Sequence, residues 1–570
     1  VFISYLFAGV LAMTGMLSQA ELVSAMPKAG GTYFYVKRTM GPAVGTVDGL
    51  ITWVSMSLKS AFALVGMAAF TRYLLAVDLH LTALVFCLIF MGINLLGIKE
   101  ASRAQIVLVI GLLGVLVFYI ARGIPEINIQ YFEPFAPKGM VSIFSTAGFV
   151  FISYGGLLKV ASIAEEVKEP GRVVPLGMML SLLVVSIFYI LVVLVTSGVL
   201  GAAELDNSLT PISDGAGAFM GQTGKMILSI AAVLAFVSTA NAGIMAASRY
   251  PLALSRDGLM PEYLGRINRR FKTPHVSLAV TGLIMIVAIF LRLDVLVKVA
   301  STALILTYLF SCLSIIILRE SRLQNYQPLF HSPLYPWMQI VGIVGFGLLL
   351  FEMGTAAYVA SSIIIVSGLF VYWFYGRIRT GREFALLHLI ERITAKELTT
   401  HSLETELKEI IRERDDIVKD RFDSIIENSI VFDIDTRLKA DDFFKLVANE
   451  MAANLDVAPN RLYNLLLKRE KDSSTVLTPT LAIPHIVIEG EHQFDILLAR
   501  CTKGISFSES APRVRAIFVL AGTADERNFH LRALAAIAQI VQDPHFEERW
   551  MAAKDREALR DIVLLGKRRR

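Results

Sequence analysis

Over the first two thirds of the chain apolar residues come in long unbroken runs, and over the last third they fall into short periodic groups. Up to about Tyr375 the runs approach or exceed the roughly 20 residues needed to cross a hydrocarbon core, with short polar loops between them. They lie at 1–20, 46–72, 79–97, 104–122, 140–164, 174–199, 224–248, 275–292, 296–318, 336–353 and 356–375, eleven in all. Beyond Arg382 charged positions take helical spacing at 403–414, which predicts an amphipathic helix acting as a connector or a homodimer contact. From about Asp423 to Leu565, strand-like runs at 494–500 and 516–521 alternate with helical periods and predict one α/β domain. The expected fold is therefore mainly α. It comprises a polytopic helical membrane part over 1–375, a cytoplasmic linker helix over 376–422 and a cytoplasmic α/β domain over 423–570.

Charge distribution orients this arrangement. Cytoplasmic loops retain Lys and Arg, and alternate loops here carry 18 against 6, the six being Arg72, Arg122, Lys138, Lys225, Arg292 and Lys298. The first run then passes from outside to inside, and the hydrophilic tail is cytoplasmic. Val1 lies directly in an apolar run with no basic n-region or cleavage site, unlike a signal peptide. An odd number of runs with an outside start points to a preceding span. The modest net charge of +5 follows from the loops and does not call for nucleic acid. Cys87, Cys312 and Cys501 suggest neither a disulfide framework nor a metal knuckle, and no motif asks for a metal or cofactor.

One run carries chemistry at its centre. Residues 149–157 read Phe-Val-Phe-Ile-Ser-Tyr-Gly-Gly-Leu, with Ser153, Tyr154, Gly155, Gly156 and Leu157 in the middle of a membrane-length segment. In lipid, a backbone that opens there must face a protein-lined cavity. Freed N–H and C=O groups, with the dipoles of two half-helices, suit the charged ends of a small zwitterion. The competing reading is a glycine pair for close helix packing. Lys59, near the middle of the run at 46–72, is a candidate proton-linked group or fixed cation, or a lysine that snorkels or pairs structurally. Lys159 falls within a turn of the motif. Glu165 and Glu166 are candidate gate residues or solvated charges.

The continuation Glu165-Glu-Val-Lys-x-Pro170-x-Arg172-x-x-Pro175 resembles the sixth span of the amino acid-polyamine-organocation superfamily. Gln19-Ala-Glu21-Leu with Pro27-Lys-Ala-Gly-Gly-Thr-Tyr33, Asn94-Leu-Leu-Gly-Ile-Lys-Glu100 and the stretch from Ala247 to Pro261 resemble other pieces of that family in order. The resemblance implies two inverted five-helix repeats plus two further spans, with the solute between broken first and sixth helices. On this numbering the first helix would precede residue 1, which leaves 153–157 as the sixth-helix half of the site. It implies secondary active transport of an amino acid by alternating access, coupled to a proton or sodium ion. Ser238 and Thr239 match positions where related carriers ligate sodium, although Ser and Thr also serve helix packing. A lysine that some proton-coupled relatives carry in the fifth span is replaced by Gly111 and Leu112. A polyamine or inorganic cation is the rival solute, and no acidic cluster in the runs supports a polyamine.

The tail resembles the IIA component of the mannitol/fructose-type phosphotransferase system through Arg469-Glu470, Ile483-Pro484-His485 and His530-Leu531, in matching order. That implies His485 as phosphoryl acceptor, with His530 and Arg469 beside it and a phosphodonor protein as partner. Thr478-Pro479-Thr480 and Ile486 stand where the family commonly has glycines. The alternatives are a sensor that no longer transports and a tail that only docks or oligomerises.

Overall fold

A computed structural model describes the chain except residues 29, 75–76, 97–101, 134–138, 157–159, 162–163, 165–166, 379–382, 395–401, 509–510 and 570. It divides into two compact units, Val1–Leu407 and Lys408–Arg570.

The first unit is helical. Its helices are α1 (Phe2–Ala25), α2 (Thr32–Met40), α3 (Pro42–Leu74), α4 (Leu79–Leu95), α5 (Ser102–Gly123), α6 (Val141–Val150), α7 (Pro170–Val199), α8 (Ala202–Asn207), α9 (Pro211–Arg256), α10 (His275–Ile289), α11 (Leu293–Ser321), α12 (Trp337–Glu352), α13 (Thr355–Phe374) and α14 (Ala385–Thr394). Among the described residues, seven helices are long and apolar enough to cross a membrane, namely α1, α3, α5, α7, α9, α11 and α13. Four shorter apolar helices, α4, α6 with its following turn, α10 and α12, fall on the remaining predicted runs. The run at 224–248 lies inside the longer α9, which is kinked where Gly221 takes φ 64 and ψ −163. Only glycine adopts that conformation cheaply, so the periodicity continues through a break that composition hides.

Helices α1, α3 and α11 are buried along most of their length, whereas α5, α7 and α13 present most of their apolar surface outward. Small residues permit the inner packing. A Cβ at Gly15 of α1 would stand 2.3 Å from the Tyr308 ring of α11, so the two backbones approach only because that atom is absent. At one end α1 is pinned by Glu21, whose side chain is wholly buried. Its carboxylate accepts hydrogen bonds from Arg319 Nε at 2.8 Å and Nη2 at 2.6 Å, from Tyr326 Oη at 3.1 Å and from the Ser332 amide at 2.7 Å. A buried carboxylate is tolerated when its lone pairs are filled in this way.

The helix α15 (Ser402–Arg414) runs through the boundary between the units. Within the first unit its residues Leu403 and Leu407 are buried. Glu404 accepts from the amides of Gln324 at 3.2 Å and Asn325 at 3.1 Å, and Glu406 pairs with Arg38 of α2. Within the expected linker at 376–422 the described residues include α14 and α15.

The second unit is a mixed sheet with helices on both faces. Its strands are β1 (Ile430–Ile434), β2 (Leu438–Lys439), β3 (Val476–Thr478), β4 (Leu481–Ala482), β5 (His485–Ile488), β6 (Phe494–Ser506) and β7 (Val514–Thr523), ordered β1-β6-β7-β4-β3, with β2 beside β6 and β5 beside β7. The central pair β6 and β7 is antiparallel, while β1, β4 and β5 pair in parallel. Successive residues serve opposite faces. Ile496, Leu498, Phe518 and Leu520 pack under α16 (Arg421–Glu427), α19 (Arg527–Val541), α20 (Phe546–Ala552) and α21 (Arg556–Leu564). Leu497, Ala499, Ile517 and Val519 pack under α17 (Ala440–Leu455) and α18 (Pro459–Asp472). Burial on both faces explains why these strands read as continuous apolar runs.

Removing Arg319 leaves the Glu21 carboxylate buried without its cation. Arg319→Ala is expected to destabilise the detergent-solubilised protein by about 3–5 kcal/mol, whereas the double change Glu21→Leu/Arg319→Met costs clearly less. Thermal unfolding of the two variants beside the parent checks this ordering.

Candidate functional site

The helix of the fifth apolar run, at 140–164, breaks where Ser, Tyr and two glycines predict. α6 ends at Val150, and Phe151–Gly156 continues as a tighter 3-10 turn. Ser301 of α11 occupies the break. Its hydroxyl donates to the Phe149 carbonyl at 3.0 Å and accepts from the Ile152 amide at 3.2 Å. The Ser153 carbonyl accepts from Tyr189 Oη of α7 at 3.2 Å, and the Tyr154 carbonyl from Tyr308 Oη of α11 at 3.4 Å. Tyr154 itself donates to the Tyr5 carbonyl of α1 at 2.8 Å. Side chains from α7 and α11 therefore supplement the turn's own bonds, and Tyr154 ties it to the backbone of α1.

The two glycines differ in role. A Cβ at Gly155 would meet Leu304 Cδ2 at 3.1 Å and Lys59 Nζ at 3.3 Å, whereas nothing among the described residues lies within 4 Å of one at Gly156. Gly155 admits a close approach, and Gly156 borders open space. Ser153, Tyr154, Gly155 and Lys59 are thus brought together, although Lys59 is distant in sequence. Ser238 and Thr239 lie on α9 between Val237, packed into the cluster of α3 and α10, and Asn241, which accepts from Asn94 Nδ2 of α4 at 2.8 Å. Leu157, Lys159, Glu165 and Glu166 fall outside the described residues. Ser301, Tyr189 and Tyr308 went unread in the sequence, where their only signal is a hydroxyl within an apolar run.

In the second unit the three sequence-selected residues also converge. His485 Nδ1 lies 2.9 Å from the Ile483 carbonyl, which makes Nδ1 the protonated nitrogen of the neutral ring. Nε2 then carries the lone pair and accepts from Arg469 Nη2 at 3.1 Å. Arg469 is held by its other arm, donating to the Ser473 carbonyl at 2.8 Å. His530, on α19, is buried edge-to-face against His485 with ring centres 5.9 Å apart, and its Nε2 has no hydrogen-bond partner among the described residues. Burial, and then the charge of His485, lower the His530 pKa below its ordinary value of 6.5.

His485 begins the strand β5. Pro484 has no N–H to give the ladder, so β4 ends at Ala482 and pairing with β7 resumes at His485. Ile486, where a glycine is common, is only 5% exposed and belongs to the core. The Thr480 hydroxyl bonds Glu547 at 3.0 Å.

A sequence model of the family "Amino acid permease" matches residues 1–378. The chain belongs to the amino acid permease family. Residues 424–565 match the family "Phosphoenolpyruvate-dependent sugar phosphotransferase system, EIIA 2". The methylthioribose transporter of Bacillus subtilis is 28% identical over 399 residues, covering 66% of this chain and 85% of its own. The branched-chain amino acid permease BcaP of the same organism is 26% identical over 401 residues with the same coverage. The nitrogen regulatory protein IIA-Ntr of Neisseria meningitidis, a solved structure, is 22% identical, covers 25% of this chain and 99% of its own, and has a TM-score of 0.24. This permease accordingly joins a transport fold to an EIIA-type domain, and the mainly helical class with a terminal α/β domain expected from its sequence holds.

Two consequences are measurable. Gly155→Leu in this permease forces Leu304 and Lys59 aside and is expected to cost about 1–3 kcal/mol, against less than about 0.5 kcal/mol for Gly156→Ala, read by thermal unfolding in detergent. A histidine whose pKa is depressed on folding binds fewer protons in the native than in the unfolded state. Its contribution is therefore intact above the ordinary value of 6.5 and lost as pH falls below it. The protection of β6 amides in the full chain, measured relative to the intrinsic exchange rate at each pH, is expected to fall between about pH 7.5 and 5.5, and His530→Gln to flatten that dependence.

Proposed function

We propose that this permease accumulates a neutral amino acid by secondary active transport, alternating access around Ser153, Tyr154, Gly155, Gly156 and Leu157. The observation that carries the reading is the side-chain-held break at Phe151–Gly156 with open space at Gly156. Tyr189 and Tyr308 hold two carbonyls of the break, so a rearrangement that frees them exposes polar backbone to a zwitterion. Leu304 and the rings of Phe151 and Tyr154 favour a compact apolar side chain, which fits the branched-chain and methylthioribose relatives better than a polyamine. A proton or sodium gradient drives the cycle, with Lys59, Lys159, Ser238 and Thr239 as candidate coupling groups. The excess of Lys and Arg in alternate loops supports a multi-pass protein of the cell membrane with the EIIA-type domain in the cytoplasm.

In that domain His485 is suited to accept a phosphoryl group from a phosphodonor protein. Its Nε2 lone pair attacks phosphorus as the bond to the donor breaks. The cation formed on the ring is shared through Nδ1–H with the Ile483 carbonyl, and Arg469 and His530 are placed to meet the phosphoryl oxygens. The charge gained then biases the transport cycle. The bonds of Glu404 to the 324–325 segment and of Glu406 to Arg38 of α2 support such an influence. Ile486 in the core and Thr480 tied to Glu547 favour a second reading, in which the domain docks a partner without phosphoryl transfer.

Proteoliposomes holding the full chain test both parts. Labelled leucine is expected to accumulate under an imposed proton or sodium gradient, and His485→Ala to change that accumulation without unfolding the protein. A base-stable, acid-labile phosphate on the parent and not on His485→Ala identifies the acceptor. Unchanged uptake and no phosphate leave the tail a docking or structural module.

A further inference from the structure

The first unit holds one carboxylate that the transport reading leaves unused. Asp48 lies in the second turn of α3, wholly buried, and neither of its oxygens closes a hydrogen bond among the described residues. A Cβ at the adjacent Gly49 would strike Leu254 of α9 at 2.9 Å, so packing there is tight. None of the described Lys, Arg or His residues pairs with Asp48. The titratable groups around it are Tyr250 of α9, within electrostatic reach, and Tyr35 of α2, which acts on Tyr250 and in turn feels Arg38. Both phenols are buried, and both lack hydrogen-bond partners as well. An isolated ionised carboxylate is not sustained in such a place, whereas a neutral one is.

A hydroxyl relay leads away from it. Asp48 and Tyr250 both lie within electrostatic reach of Thr32 at the start of α2, and neither closes a hydrogen bond with it. Thr32 Oγ1 is 3.2 Å from Thr52 Oγ1 on α3, which is 3.0 Å from Thr307 Oγ1 on α11. Thr307 donates its single hydrogen to the Ala303 carbonyl at 3.1 Å. Its oxygen must then receive the hydrogen of Thr52, and that of Thr52 the hydrogen of Thr32. Thr32 is left offering Asp48 a lone pair, the complement of a protonated carboxyl. An ionised Asp48 reverses every hydroxyl, and Thr307 then gives up Ala303. The next residue, Tyr308, bonds the Tyr154 carbonyl in the broken turn. Along α3 the positions 48, 52, 55 and 59 share one face and span about 16 Å, from Asp48 to the Lys59 that abuts Gly155.

We propose that Asp48 is a proton-binding site of this permease and that its proton is the coupling ion, an inference that rests on the transport reading above. Water supplies one proton to the carboxylate and takes it back on the other side of the cycle. Only the O–H bond forms and breaks, and the relay through Thr32, Thr52 and Thr307 tells α11 which state holds.

Two measurements on the full chain in proteoliposomes decide it. An infrared difference spectrum between acidic and alkaline samples is expected to show a buried carboxyl C=O band that Asp48→Asn lacks and whose midpoint Thr307→Val shifts. Proton-driven accumulation of labelled leucine is expected to fall to the no-gradient level in Asp48→Asn, while exchange of internal for external leucine continues. Identical spectra for parent and Asp48→Asn, or accumulation by Asp48→Asn equal to the parent's, overturn the proposal. A parent that accumulates leucine on sodium alone overturns the coupling role. A parent with the band and no gradient-driven uptake overturns the transport reading instead, and leaves the proton site standing.

Discussion

Every peptide group within a membrane span must find its partner inside the protein, and the break in the fifth apolar run relies chiefly on α11 to meet that demand. Ser301 both donates and accepts across the gap, and Tyr308, two turns further on, takes up the Tyr154 carbonyl. Ala300 receives Ser55 of α3, Leu304 walls Gly155, and Thr307 ends the hydroxyl relay. Positions 300, 301, 304, 307 and 308 follow helical spacing. One face of one helix therefore supports the unwound turn, closes its side and connects it with α3.

The EIIA-type domain answers the same demand with different means. There the sheet pairs the backbone, so buried polarity is confined to side chains. Arg500, 5% exposed, shows a paired case: its guanidinium binds Asp433 at 2.8 Å and the carbonyls of Trp550 and Met551 at 3.2 and 3.3 Å. Glu21 is its counterpart in the permease part, with four donors around one carboxylate. Asp48 and His530 are buried in comparable depth, and among the described residues nothing hydrogen-bonds the carboxylate oxygens of the one or Nε2 of the other. A buried polar atom without a partner costs of order 1–3 kcal/mol, so it persists in a native structure where a bound proton, ion or group compensates it in part of the cycle.

How far the sequence discloses this depends on the range of the interaction. The apolar runs locate the long helices because hydropathy is a local property, and the alternation on β6 and β7 is equally local although burial on both faces disguises it. The cluster from Ser153 to Gly156 marks its own break, since hydroxyl and glycine together fit poorly into a lipid-facing helix. Arg469, His485 and His530 are legible through the order of short motifs. Ser301, Tyr189 and Tyr308 are not, because a single hydroxyl in an apolar run reads the same whether it bonds its own helix or a neighbour's broken one. The kink at Gly221 escapes for a related reason: glycine in a helix is common, and only φ reveals what this one does.

Asp48 shows the limit most sharply. Within the run at 46–72 it reads as a single charge near a helix start, where a carboxylate is ordinary and favourable. Its meaning comes from Gly49, which lets Leu254 close over the site, and from threonines on three helices whose hydrogens all point away from it. Each of those residues is unremarkable at its own position, since Thr in a helix commonly donates to the carbonyl four residues back. Only Thr307 does so here while also receiving a second threonine, and that one bond sets the direction of the whole relay. The direction of a hydrogen-bond chain is a property of its last acceptor, and the Ala303 carbonyl lies 255 residues from Asp48, beyond the reach of any pattern along the chain.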